Sequence, residues 1–176
     1  MLGATLHSYS KGEDEFGADQ RLRDIAADLT KHGRRPYVIP LAPGHPPLGA
    51  VGYVVAAREI LAQLDTTNYS IDGMVVASGS GHTHAGLPFG LRAMGASVPV
   101  LGVCVRRGAS AQLDRVRAHC DELAVLLGLQ SPVKEADIQV TDDHFAPGYG
   151  QLNATTKTAI SLAAQYEALL LDPVYT

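Results

Sequence analysis

Residues Val75 to Leu91 read VVASGSGHTHAGLPFGL, and the way this stretch changes character decides the fold. An apolar run, Met74 to Ala77, gives way to Ser78-Gly79-Ser80-Gly81-His82-Thr83, and a helical pattern then runs to about Met94. A strand that feeds a helix through a glycine-rich loop is the first half of a βαβ unit. The glycines let the backbone curl so that several N–H groups point to one spot, and the following helix N-terminus favours an anion there. Ser78, Ser80 and Thr83 add hydroxyl donors. The loop reads as a phosphate cradle, although it matches neither the Walker loop nor G-x-G-x-x-G. A tight strand-to-helix turn capped by Ser or Thr would use the same residues.

The same alternation extends in both directions. Gly17 to His32 places Leu22, Ile25, Ala26 and Leu29 on one helical face, and Gly33 stops it. Tyr37 to Pro40 (YVIP) reads as a short buried strand, and a second helix follows the Pro/Gly-rich LAPGHPPLG from about Ala50 to Leu64. Asp72 to Ala77 is a strand. Val98 to Val105 is another, and its lack of alternation predicts cover on both faces. Ala109 to Leu127 is helical, Asp137 to Val140 a short strand, and Thr155 to Leu171 a last helix. The charges of RVRAHCDE, Arg115 to Glu122, read as an exposed helical face, and GEDE, Gly12 to Glu15, as a solvated acidic turn. The order predicts one α/β domain over residues 1–176, with a mostly parallel, Rossmann-like sheet, helices on both faces and right-handed crossovers. In such sheets ligands bind outside the carboxyl ends of the strands, where the opening loop lies.

Composition narrows the class. The chain has 176 residues, 46% hydrophobic and 18% charged, which suits a folded domain with a core. A net charge of -4 without any basic run argues against nucleic acid. No apolar run is long enough to span a bilayer, and the first residues lack the apolar centre of a signal peptide. Cys104 and Cys120 do not make a disulfide framework, so both read as reduced thiols in a cytoplasmic protein.

Five stretches, in order, carry a family resemblance: RPYVIPL (Arg35 to Leu41), HPPLGAVGY (His45 to Tyr53), VVASGSGHTHAGL (Val75 to Leu87), FAPGYG (Phe145 to Gly150) and LLLDPVYT (Leu169 to Thr176). Together they resemble the D-cysteine desulfhydrase and 1-aminocyclopropane-1-carboxylate deaminase family of pyridoxal-phosphate enzymes. The resemblance implies the tryptophan-synthase-β type of fold, of which this chain looks like an incomplete larger domain. It implies pyridoxal 5'-phosphate as cofactor, with Ser78, Gly79, Ser80, Gly81, His82 and Thr83 around its phosphate. It places Tyr175 against the pyridine ring and Thr176 on the ring nitrogen, and makes Tyr149 a second active-site tyrosine beside Tyr175. Ordinary half-buried tyrosines are the lesser alternative for both. Deaminases of the family carry Glu where Thr176 stands, so this residue points to the desulfhydrase side. The implied reaction is α,β-elimination from D-cysteine or a related small amino acid, giving pyruvate, ammonia and sulfide.

The chain also departs from the family. The Schiff-base lysine sits there in a motif like GNKxRK, and nothing similar surrounds Lys11, Lys31, Lys134 or Lys157. A separate lysine-bearing segment is therefore expected. The family continues past DPVYT with a Gly-Lys pair, a helix and a strand. Ala42-Pro43-Gly44 stands where Gly-Gly-Ser is usual, and Pro43 lacks an N–H. His82 stands where the family has Gly or Ser; it resists positive φ and adds bulk, so a weakened cradle is expected, with an imidazolium donor to the phosphate as the alternative. His82-x-His84, with His45, His119, Asp142, Asp143 and His144, offers a metal alternative, but His84 belongs to the family's own THAG, and no metal is expected. A non-catalytic α/β binding or interaction domain derived from the family is the alternative function. Sheet edges left uncovered in an incomplete domain predict a homodimer or higher oligomer.

Overall fold

The computed structural model describes residues 3–9 and 14–175. Lys11, Thr176 and the Gly12-Glu13 half of the acidic turn lie outside the described residues. Two compact units are present, Met1–His45 and Pro46–Thr176.

The first unit contains α1 (Glu15–Lys31). Asp14 caps it by accepting from the Gly17 N–H at 2.8 Å, and Gly33, with a φ of +76°, ends it. Asp19 is buried on this helix and accepts from the amides of Leu41 at 2.7 Å and Ala42 at 3.1 Å. The carboxylate thereby fixes a chain segment that has no regular structure. Tyr37 to Pro40 is not a strand. Tyr37 and Ile39 are 79% and 71% exposed, and β-type residues need a neighbouring strand to pair with before their preference counts.

The second unit is α2 (Leu48–Thr67), β1 (Met74–Ser78), α3 (His82–Ala93), β2 (Val100–Cys104), α4 (Ala109–Leu127), β3 (Gln139–Thr141) and α5 (Ala154–Glu167). The strands lie in the order β1-β2-β3, all parallel, with Met74 opposite Val100 and Leu101 opposite Gln139. Parallel neighbours need long crossovers, which α3 and α4 supply. The parallel α/β class is as the sequence reads.

The core lies around α3, whose residues from His84 to Leu91 are all buried. Ala85 and Phe89 pack with Val116, Cys120 and Leu123 of α4, while Leu87 and Leu91 pack with Ala57 and Val100. Full burial of Phe89, Leu91 and Leu123 contributes roughly 1.5–3 kcal/mol each. Helix α2 approaches closely because α3 carries Gly86 and Gly90 on the facing side. A Cβ at 86 would lie 2.3 Å from the Ala50 carbonyl oxygen, and one at 90 would lie 2.7 Å from the Ala57 Cβ.

Burial along β2 alternates. Val100, Gly102 and Cys104 are buried, while Leu101 and Val103 are half-buried. Val75 on β1 is 72% exposed. The unbroken apolar run therefore reflects one closed face and one partly open one. The expected exposed face of α4 also divides: Val116, His119 and Cys120 point inward and are buried, whereas Asp114 and Asp121 face solvent.

Candidate functional site

Because the strands are parallel, the loops after β1, β2 and β3 emerge at one edge of the sheet. The first is Gly79 to Gly81. Gly81 takes the positive φ, +95°, and His82 opens the helix, so the turn asks nothing unusual of the histidine backbone. The backbone half of the case for a weakened cradle thus falls away. The His82 ring leans on His119, with centroids 4.5 Å apart.

The carbonyls of this loop are drawn towards α4. Arg107 donates to the Gly79 carbonyl. Arg115 Nε donates to the Ser80 carbonyl at 2.7 Å, and His119 Nε2 lies 3.1 Å from the same oxygen. His119 Nδ1 faces Glu122 at 2.9 Å, so both ring nitrogens meet oxygens. With its carbonyls so held, the loop keeps its amides free: among the described residues, the N–H groups of Gly79 to Thr83 meet no protein acceptor. Unpaired amides at a helix N-terminus, backed by arginines, are the donor set that a phosphate dianion needs. The residues present fit the phosphate of the expected cofactor.

The second and third loops bring side chains to the same place. Arg106, after β2, lies over the Tyr149 ring at 5.6 Å from its centroid. The Tyr149 and Tyr175 hydroxyls are 3.0 Å apart and their rings meet edge to face. Tyr175 rests on the Gly79–Gly81 loop itself, since a Cβ at Gly79 would lie 2.9 Å from its Cε1. Burial, and then the hydrogen bond and charge of Tyr149, push the Tyr175 phenol up to about 12, so it remains a neutral hydroxyl through the physiological range. Beside this pair runs a small cleft lined by Val103, Val105, Phe145, Pro173 and Val174.

The expected site residues therefore separate. Gly79, Ser80, Gly81, His82 and Thr83 form the loop, and Tyr149 and Tyr175 converge on it. Ser78 turns the other way: it is 1% exposed, and its hydroxyl lies between Gln112 Nε2 at 2.7 Å and His84 Nδ1 at 3.0 Å. Thr176 is outside the described residues. The two histidines of the metal alternative diverge, His84 into the interior and His82 towards His119 and Gly49. Burial, then the charges of His119 and Arg115, lower the His82 pKa below its usual value, which opposes an imidazolium there. Lys31, Lys134 and Lys157 are exposed.

Sequence reasoning missed Gln112 and Arg107, and it read Arg115 and His119 only as part of an exposed helical face, with His119 also in the metal alternative. A signal existed for two of them. Gln112, Val116, His119 and Leu123 recur at helical spacing, so Gln112 and His119 are polar residues on the inward stripe of α4.

The chain is similar to known proteins over most of its length. Over 157 residues the chain is 45% identical to a D-cysteine desulfhydrase from Klebsiella pneumoniae (strain 342), covering 89% of this chain and 46% of that protein. A D-cysteine desulfhydrase from Yersinia enterocolitica is 44% identical over 158 residues, covering 90% and 47%. The chain thus spans about half the length of the curated relatives it matches. A solved structure described as an ACC deaminase homologue superposes with a TM-score of 0.80 at 32% identity, covering 99% of this chain and 51% of that one. The family described as pyridoxal-phosphate dependent enzyme matches residues 1–176, and the chain belongs to that family.

Proposed function

We propose that this chain is the phosphate-holding part of a pyridoxal-phosphate lyase, corresponding to part of the larger domain, that acts on a small amino acid. D-cysteine is the favoured substrate, with α,β-elimination to pyruvate, ammonia and sulfide as the reaction. The observation that carries the reading is the convergence of the Gly79–Thr83 amides with the Tyr149–Tyr175 hydroxyl pair at one edge of the sheet. The cofactor, when bound, supplies the electron sink for breaking bonds at the substrate's α-carbon.

The chain's own residues have separable tasks. The amides of Gly79 to Thr83, with the Thr83 hydroxyl, bind the phosphate. Tyr175, neutral and backed against Gly79, borders the ring, and Thr176 follows it as the partner of the ring nitrogen. Tyr149 shares a proton with Tyr175 and is held by Arg106, so it is the group that orients the substrate or moves a proton. The Schiff-base lysine is assigned to a segment outside these 176 residues, because the described lysines are exposed and lack the family motif. Two buried free thiols support a cytoplasmic setting. Exposed apolar residues such as Val75, Val125 and Leu170 support a homo-oligomer. A non-catalytic domain is the weaker reading, since it gives the tyrosine pair no task.

Titration of the chain with pyridoxal phosphate, followed by absorbance and by borohydride reduction with peptide mapping, tests the reading. Saturable binding without a reducible lysine label is expected, together with sulfide release from D-cysteine once the lysine-bearing segment is supplied. Absence of saturable binding would remove the cofactor from this chain.

A further inference from the structure

A plain joint between β1 and α3 needs no buried polar side chains, yet three meet at its base, together with the half-buried Arg107. Arg107 donates to Gln112 Oε1 at 2.7 Å. Gln112 Nε2 donates to Ser78 Oγ at 2.7 Å, and Ser78 Oγ is 3.0 Å from His84 Nδ1. Ser78, His84 and Gln112 are each at most 1% exposed. Buried polar groups are costly unless each finds a partner, so the order of these bonds is constrained.

The direction follows from valence. Arginine only donates, so the Gln112 carbonyl must face it and the Gln112 amide group must face Ser78. Within the relay the single hydroxyl hydrogen of Ser78 is paired only if it goes to His84 Nδ1, which places the His84 proton on Nε2. That nitrogen is buried without an aligned partner among the described residues, beside the backbone of Val100. Arg107 completes the grip by holding the Gly79 carbonyl as well as Gln112.

We infer that the relay Arg107–Gln112–Ser78–His84 is the device that sets the phosphate loop, and that Gln112 on α4 is a positioning residue for the cofactor. The inference rests on the reading of Gly79 to Thr83 as the phosphate site. Ser78 is the last residue of β1, so tying its hydroxyl to α4 and α3 fixes where the chain leaves the sheet. The Arg107 grip on the next carbonyl holds the loop by its backbone oxygen and leaves its amides without a protein acceptor. Loss of Gln112 removes one bond from Arg107 and one from Ser78 at once, although Gln112 itself is fully buried.

The test uses the full chain, labelled with nitrogen-15, and two probes, inorganic phosphate and pyridoxal phosphate. The wild type is expected to show His84 with Nδ1 unprotonated and Nε2 protonated, and shifts at Gly79 to Thr83 on adding either probe. Gln112→Leu is expected to weaken both probes roughly tenfold, the worth of one to two net hydrogen bonds, and to displace the loop amide resonances. Gln112→Glu keeps the volume but accepts from Ser78, so the His84 proton is expected to move to Nδ1. If Gln112→Leu does not fold, Ser78→Ala cuts the same relay with a smaller change and is expected to weaken binding likewise. A folded variant that binds both probes as tightly as the wild type, with unshifted loop amides, would overturn the inference and leave the cofactor reading intact. A wild type that binds neither probe would overturn the cofactor reading and the positioning role with it.

Discussion

The His84 imidazole stands where β2 has no side chain: a Cβ at Gly102 would lie 2.2 Å from both its Nδ1 and its Cε1. Two residues far apart in sequence thus share one volume in the core. Gly102→Ala is expected to destabilise the chain by about 3 kcal/mol, the upper range for overpacking a rigid core. Chemical denaturation measures this, and an unchanged midpoint would mean that His84 moves aside without cost.

The same burial keeps His84 neutral. Burial lowers its pKa to about 4 against a smaller opposing effect of the Val100 backbone. A lowered histidine pKa means that the unfolded chain binds the proton more readily. The ring therefore adds no pH dependence above its ordinary range, and destabilises the fold progressively as pH falls from near 6.5 towards 4. Following the His84 ring carbons by NMR between these limits should show no titration until the chain unfolds.

Asp19 gives the first unit its own acid limit. Burial raises its pKa, but the Leu41 and Ala42 amides, with the charges of His45 and Arg23, outweigh that and bring it below the usual 3.8. A depressed carboxylate stabilises the fold above its unfolded pKa and loses that contribution as pH falls through the folded value. Asp19→Asn is expected to cost on the order of 1–3 kcal/mol near neutrality and to flatten the acid limb below about pH 4. Hydrogen exchange at the Leu41 and Ala42 amides reads both effects, and unchanged protection would sink the assignment.

Tyr149→Phe removes the hydroxyl that helps push the Tyr175 phenol up to about 12. The Tyr175 pKa is expected to fall part of the way back towards 10. A raised phenol stabilises the fold below its unfolded pKa, and that contribution fades as pH climbs from 10 towards 12 in the wild type. Phenolate absorbance during an alkaline titration reports the shift. No change would mean that the two hydroxyls do not share a hydrogen bond in solution.

His82→Ser restores the small residue that resembles the family pattern. Since the ring packs on His119 and the proposed cradle is made of loop amides, phosphate affinity is expected to change by no more than about twofold, the size of an ordinary surface substitution. Titration with inorganic phosphate decides it. A tenfold gain would show that the histidine does weaken the cradle.

Much of this protein was legible before any coordinates. Periodicity marked α4 over the residues it occupies, Ala109–Leu127, and the strand–glycine–helix joint at residues 74 to 94 placed the loop at the ligand-binding edge of a parallel sheet. These are local properties: a helix or a loop declares itself through side chains a few positions apart. Tyr37 to Pro40 did not become a strand, because strand formation depends on a partner chain that local sequence does not name. Nor could the sequence say that the Ser78 hydroxyl turns into the interior, since that choice is made by Gln112 on α4 and His84 on α3, while Arg107 and Arg115 hold the loop carbonyls that follow. The sequence by itself determined the order of elements from α2 onwards and the chemistry of the loop. Tertiary packing alone decided which donors the loop offers, because a hydrogen bond between residues some thirty positions apart exists only once the helices that carry them are side by side.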